Sequence, residues 1–304
     1  MPYCPSGVDV QAAIALMAGV LLSIGHGYCA EALRRRLGAG WRVIATTRDE
    51  GKAARLRAAG AEAVIWPGSD LTPLLERATH LLSSVPPVDG ADPVAAVLSE
   101  AGGAAMKHLV FAGYYSTTGV YGDHDGGWVD EDAALAAGTT RGRARLAAEA
   151  AWRALGLPLH VFRLAAIYGP GRSAFERLEA GTARRVSRPG LVFSRIHVAD
   201  IARITAAAMA APRPGAVWNL ADDMPAPPED VIVEAARLMG ISPPPERSVE
   251  AAGLSGLARD FYSESKRVAN ARVKRSLGLE MLYADYRTGL RAILDARAAG
   301  GRDG

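Results

Sequence analysis

The chain reads as an α/β protein, a doubly wound parallel sheet with a smaller, discontinuous C-terminal part, and three observations carry that reading. Short apolar runs rich in Val, Ile and Leu recur through its first half. Between most of them lie stretches of Ala, Leu, Arg and Glu with helical period. Those stretches close on Gly, which takes the left-handed backbone of a helix C-terminus without steric cost. Strands alternating with helices at this spacing make βαβ units and therefore parallel sheet.

In chain order, Met17 stands directly before the first convincing strand, so residues 1–16 read as a loosely packed extension with no assigned role. The run VQAAIALMAGVLLSIG carries Gln11 and is shorter than the roughly 18 apolar residues a membrane span needs. Strands are expected at 19–24 (GVLLSI), 41–47 (WRVIATT), 62–66 (EAVIW), 80–85 (HLLSSV), 107–113 (KHLVFAG) and 158–164 (PLHVFRL). Helices such as AEALRRRLGAG and GKAARLRAAG connect them. After residue 165 the alternation loosens, with Pro-rich pieces at 212–214, 225–228 and 243–245 and one late strand at AVWNLA. The expected division is a Rossmann-like nucleotide-binding domain over 17–164, with returning segments at about 194–222. Residues 165–193 and 223–304 then form a substrate-binding part.

Composition narrows the function classes. At 304 residues, 49% hydrophobic and 22% charged, the chain can bury a sizeable core. The formal charge of +3 comes from 35 basic and 32 acidic residues with no basic run, so neither nucleic acid nor a membrane is an expected partner. Its two cysteines, Cys4 and Cys29, have no disulfide or metal-ligand spacing, which fits a reducing cytoplasm. Only four lysines occur: Lys52, Lys107, Lys266 and Lys274.

The stretch LLSIGHGYCAEAL, residues 21–33, sits between the first strand and first helix of this series. In that place Gly25 and Gly27 bend the chain and let backbone approach a pyrophosphate. The helix beginning near Tyr28 aims its amides at that charge, and Ala30 is small enough for close helix-to-strand packing. A tight bend without a ligand is the alternative. An NAD site expects a carboxylate at the end of the second strand, to take the adenosine ribose hydroxyls. Here ATTRDE places Arg48 after Thr46 and Thr47, which suits a 2′-phosphate and so NADP. NAD stays open through Asp49 or Glu50.

Taken together, GHGYCA, TTR, STTGVYGDH, RLAAIYGPGR, SRIHVADIA and WNLADDMPAP resemble the extended short-chain dehydrogenase/reductases, the NAD-dependent epimerase/dehydratase group, and most closely an atypical branch of it. The resemblance implies a Rossmann-like domain binding NAD(P) and a C-terminal part shaping a substrate pocket. It implies an adenine contact at Asp70, and a run beside the cofactor ribose at Ser84, Val85 and Pro86. It also implies pairing as a homodimer through helices near 91–103 and 141–155. In such enzymes a Ser or Thr orients the substrate oxygen, a tyrosine exchanges its proton, and a lysine four residues later holds the ribose and lowers the tyrosine pKa.

The first role falls on Thr117, with Ser116 beside it. The Tyr-x-x-x-Lys helix is missing: TTRGRARLAAEAAW puts Arg141 and Arg145 in those places, with Glu149 four residues on. Arginine stays protonated and cannot be the acid, although Arg145 can hold ribose or phosphate. Tyr121 is then the expected proton donor, with Tyr168 next. A literal Tyr-x-x-x-Lys, Tyr262 to Lys266, lies far downstream and reads as coincidence. Arg172 and Arg195 are expected near the pocket mouth, and His26 near the pyrophosphate. Dehydration is not expected, because Thr118 and Gly119 stand where dehydratases of this kind carry acids. The expected function is an NAD(P)-dependent oxidoreductase or epimerase acting on a hydroxyl or carbonyl of a sugar-like small substrate. The alternative is an NADP-binding sensor without turnover.

Overall fold

The structure is a computed structural model, and it describes residues 18–254 and 256–300. The expected extension at 1–16 lies outside the described residues. Seven strands form one sheet in the order β11-β7-β5-β4-β1-β2-β3, every neighbouring pair parallel. They are β1 (Gly19–Ile24), β2 (Trp41–Thr47), β3 (Glu62–Ile65), β4 (His80–Ser83), β5 (Phe111–Thr117), β7 (Leu159–Leu164) and β11 (Val217–Leu220). Strand order reverses between β1 and β4. In doubly wound sheets the ligand crevice opens at that point, beyond the carboxyl ends of the strands.

Side chains alternate along each strand, so the sheet supplies two cores. Leu21 belongs to one, with α1 (Tyr28–Arg36) and α7 (Val198–Ala210) over it. Leu22 and Ile24 belong to the other, beneath α3 (Thr72–Leu75), α4 (Pro93–Ala105) and α5 (Thr140–Ala154). α2 (Glu50–Ala58) links β2 to β3. At the amino ends of the strands a row of rings crosses the sheet: Trp41 to His80 (4.7 Å), His80 to Phe111 (5.9 Å), Phe111 to His160 (4.6 Å) and His160 to Trp218 (5.8 Å). Burial holds both histidines down at about 4, so they serve as neutral core rings.

The expected 80–85 strand ends at Ser83, and the largest departure is β5: the apolar run predicts it at 107–113, and it runs Phe111–Thr117. Lys107 and His108 stay exposed in the turn after α4, and pairing starts at His80↔Phe111. The strand continues through Tyr114 and Tyr115 because the sheet buries both rings.

Small pieces of parallel sheet assemble the remainder. β8 (Ala166–Tyr168) pairs with β10 (Arg195–His197), and β9 (Arg185–Ser187) with β12 (Glu246–Ser248). β6 (Trp128–Val129) pairs with β13 (Arg267–Val268), joining the loop after β5 to the far C-terminal segment. A separate core gathers Phe175 from α6 (Ala174–Glu179), Ile232 from α8 (Pro228–Met239) and Leu290 from α11 (Tyr286–Gly300). α9 (Gly256–Ser263) and α10 (Ala271–Leu277) are the remaining α-helices among the described residues.

Candidate cofactor and active site

The chain leaves β1 through Gly25, whose φ of +70° is left-handed. A Cβ on Gly25 would stand 2.5 Å from Val85 Cγ2, so glycine is required by both conformation and space. Gly25 N–H donates to Thr46 Oγ1 and His26 N–H to the Thr46 carbonyl, each at 2.9 Å, which fixes the turn to the end of β2. Gly27 is the N-cap of α1, and no side chain caps it. First-turn amides have no acceptor inside their own helix, so those of Tyr28, Cys29 and Ala30 offer an anion site at the positive end of the helix dipole. Ala30 is buried against the sheet. His26 does not face this site: its ring bonds Ser23 Oγ (2.9 Å) and Glu31 (3.1 Å) and is fully covered.

Opposite the turn, the Tyr28 hydroxyl donates to the Pro170 carbonyl (3.0 Å), and burial pushes the phenol up to about 12. The Arg172 guanidinium lies 5.8 Å from the Tyr28 ring and is exposed. Arg195 does not sit at the mouth. It is buried, and its guanidinium donates to the carbonyls of Phe193, Ala226 and Pro227, so it is a strut of the C-terminal part. Asp222, just past β11, is also buried. One carboxyl oxygen accepts the Met224 N–H (3.2 Å), the other has no partner, and burial pushes the group up to about 8.

At the adenosine side Arg48 is exposed at the end of β2. Lys52, in the first turn of α2, reaches back to donate to the His26 carbonyl, which sets a second cation beside the glycine turn. The acids are engaged elsewhere: Asp49 caps α2 through the Lys52 N–H, and Glu50 faces Arg57 at 3.8 Å. The threonines support the backbone: Thr46 Oγ1 accepts the Gly25 N–H and Thr47 Oγ1 the Asp49 N–H (3.3 Å), and both residues are buried. Asp70 is exposed and accepts the Thr72 N–H (2.9 Å), which lowers its pKa. Ser84 N–H donates to the Ile24 carbonyl (3.0 Å) and its hydroxyl is buried without a partner; Val85 touches the Gly25 turn, and Pro86 is exposed.

Thr117 ends β5 half-exposed, its Oγ1 accepting the Gly119 N–H (3.2 Å) and keeping its own proton to donate. Arg145, from the second turn of α5, donates through Nη1 to the Tyr115 carbonyl (2.8 Å), the Tyr114 hydroxyl (3.0 Å) and the Val85 carbonyl (3.4 Å). It thus joins the carboxyl ends of β4 and β5. Arg141 is exposed one turn earlier.

Tyr121 departs from the role expected of it. Its side chain is wholly covered, its hydroxyl donates to Asn219 Oδ1 (2.7 Å) and accepts from Arg163 (3.0 Å), and burial raises its pKa. Tyr168 is buried too, its hydroxyl turned to the Asp285 carbonyl (3.4 Å) in the C-terminal core. Both hydroxyls are thus committed to partners inside the protein.

What the sequence reading missed is the buried network beneath this edge. Glu149 accepts from Ser116 (2.6 Å), from two Arg163 nitrogens (3.1 and 2.9 Å) and from Arg153 (2.9 Å). Burial pushes its carboxyl up, but the Arg163 hydrogen bonds and charge outweigh that and hold it below the usual range. The signal was present: Arg163 is a charge inside the apolar run LHVFRL, and a charge there must find a buried partner.

The seven-stranded parallel sheet flanked by helices is the fold of the NAD-dependent epimerase/dehydratase enzymes of the extended short-chain dehydrogenase/reductase kind. UDP-glucuronic acid 4-epimerase from Bacillus cereus in complex with NAD superposes with a TM-score of 0.72 at 16% identity, over 91% of this chain and 97% of that one. The dTDP-glucose 4,6-dehydratase of Bacillus anthracis str. Ames in complex with NAD does so with a TM-score of 0.70 at 16% identity, over 93% and 97%. A conserved protein of unknown function from Silicibacter pomeroyi DSS is 51% identical over 92% of this chain and 99% of its own, with a TM-score of 0.88. The chain belongs to one family with that Silicibacter protein. No protein-family model and no curated protein matches it.

Proposed function

We propose that the chain binds a nicotinamide dinucleotide across the carboxyl edge of its sheet, NADP in preference to NAD, and acts as an oxidoreductase or epimerase on a hydroxyl or carbonyl of a sugar-like small molecule. The observation that carries this is the uncapped N-terminus of α1 behind a Gly25 turn with no room for a side chain. Arg172 faces the same turn from the opposite wall and supplies charge for the pyrophosphate. Arg48 and Lys52 supply charge where a 2′-phosphate would lie, while Asp49 is committed as a helix cap. When bound, the nicotinamide supplies the carbon that takes or gives a hydride. Thr117 donates its hydroxyl hydrogen to the substrate oxygen and orients it. Arg145 holds the floor of the crevice and its charge favours an oxyanion there. The exchanged proton passes to solvent, since the expected phenols are buried. The same reading has the protein in the cytoplasm, paired through α4 and α5.

One observation favours a second reading, NADP sensing without turnover: arginines occupy both places of the missing Tyr-x-x-x-Lys pair. Calorimetric titration with NADPH and NADH tests the cofactor reading. NADPH is expected to bind at least about tenfold tighter, a preference that Arg48→Ala with Lys52→Ala abolishes. Equal affinities in the wild type would remove the 2′-phosphate site, and no binding of either would remove the nucleotide reading.

A further inference from the structure

The downstream Tyr262-x-x-x-Lys266 spacing reads as coincidence in the sequence, yet the fold carries its second half to the edge where α5 begins. Tyr262 packs edge-on to Phe193 at 5.8 Å in the C-terminal part. The next residues are clamped to the loop after Thr117. Ser265 N–H donates to Asp123 (2.6 Å), its carbonyl accepts from His124 and Gly126 (3.0 Å each), and its hydroxyl accepts the Val192 N–H (3.1 Å). β13 then pairs with β6.

That clamp holds Glu264 and Lys266 as an ion pair at 2.7 Å with side chains only 12% and 11% exposed. Lys266 uses one of its three donors on Glu264 Oε2. Glu264 Oε1 is buried with no hydrogen-bond partner and lies 3.6 Å from where a Cβ on Gly138 would stand. Gly138 directly precedes Thr139, the N-cap of α5. The first turn of α5 in turn rests on the segment after Thr117, since a Cβ on Gly142 would stand 2.7 Å from the Gly119 carbonyl. A carboxylate oxygen withdrawn from water with no donor is expensive, so a donor is owed to it. An ammonium with free donors next to an acceptor in want of one matches a hydroxyl group, which gives a hydrogen to one and accepts from the other.

We propose that Glu264 and Lys266 form a hydroxyl-binding subsite for a polyhydroxylated ligand, delivered by the C-terminal segment to the start of α5. This rests on the reading above that the crevice takes a hydroxyl-bearing substrate beside its cofactor. In this subsite Glu264 Oε1 accepts from a ligand hydroxyl and Lys266 donates to the same or the adjoining oxygen.

The test uses the full chain loaded with NADPH, with glucose, glucuronic acid and UDP-glucuronic acid as probes in saturation-transfer NMR and calorimetry. At least one probe is expected to bind. Its affinity should fall about tenfold or more in Glu264→Gln and in Lys266→Met, each of which also unpairs a nearly buried partner and lowers the ligand-free melting midpoint, and less in Lys266→Arg, which keeps the pair, while NADPH affinity stays put in all three. Three results overturn the proposal: no probe binds the NADPH-loaded wild type, a probe's affinity survives both variants within about twofold, or the variants lose probe affinity only together with NADPH affinity. If an ordered water and not a ligand satisfies Glu264, the first or second of these is the result. Failure of the underlying cofactor reading is distinct, because it shows as absent NADPH binding before any probe is added.

Discussion

At the scale of single residues, burial decides which titratable groups can take part in chemistry. Tyr121 occupied the expected place in sequence, but its hydroxyl is spent between Asn219 and Arg163. Tyr121→Phe should therefore lower folding stability by about 1–3 kcal/mol, the cost of leaving buried partners unpaired, and leave NADPH affinity unchanged. Urea denaturation and an NADPH titration check this; lost affinity at unchanged stability would return Tyr121 to the crevice.

Asp222 carries a pH effect of definite sign. Folding raises its pKa from 3.8 to about 8 through burial, against the pull of Arg195 and with Asp223 and Asp285 adding to the rise. The folded chain therefore holds a proton that the unfolded chain has released between about pH 4 and 8. The contribution is complete below pH 4 and is lost as pH climbs through 8. The stability of Asp222→Asn relative to wild type should rise across that window. Taking the difference cancels the opposite slope of His80, His160 and His197, which burial holds at about 4. A flat difference between pH 5 and 8 would show that Asp222 is ionised in the folded state.

At the scale of elements, the Glu149 and Arg163 pair joins helix α5 to strands β5 and β7 under the Thr117 edge. Each side chain is almost fully withdrawn from water, so removing Glu149 leaves Arg163 as a buried unpaired charge, and removing Arg163 leaves Glu149 only the partly exposed Arg153 as a cation. Glu149→Gln and Arg163→Met should each cost about 3–5 kcal/mol, and the double variant clearly less than their sum. Additive losses in a double-mutant cycle would mean that the two groups do not depend on one another. Elements whose boundaries follow periodicity were legible, with β1 and β2 at the residues expected. β5 was not, because an apolar run ending at Gly113 hid the continuation through aromatic and hydroxyl residues that the sheet buries.

At the scale of the whole molecule, distant stretches of chain meet, and their joint placement is what local pattern cannot state. Residues 128–129 pair with 267–268, and Asn219 of β11 receives the hydroxyl of Tyr121 from the loop after β5. The sequence by itself determined the doubly wound order of strands and helices, the Gly25 turn after the first strand, and the loss of the Tyr-x-x-x-Lys pair. Each of these is a matter of local period, of a backbone angle only glycine takes freely, or of residue identity at a fixed spacing. The tertiary structure alone decided that Tyr121, Tyr168 and Arg195 are withdrawn, that Lys52 returns to the glycine turn, and that Glu264 and Lys266 reach the start of α5. Those outcomes depend on which segments exclude water from one another, and burial is a property of the assembled chain that no window of neighbouring residues contains.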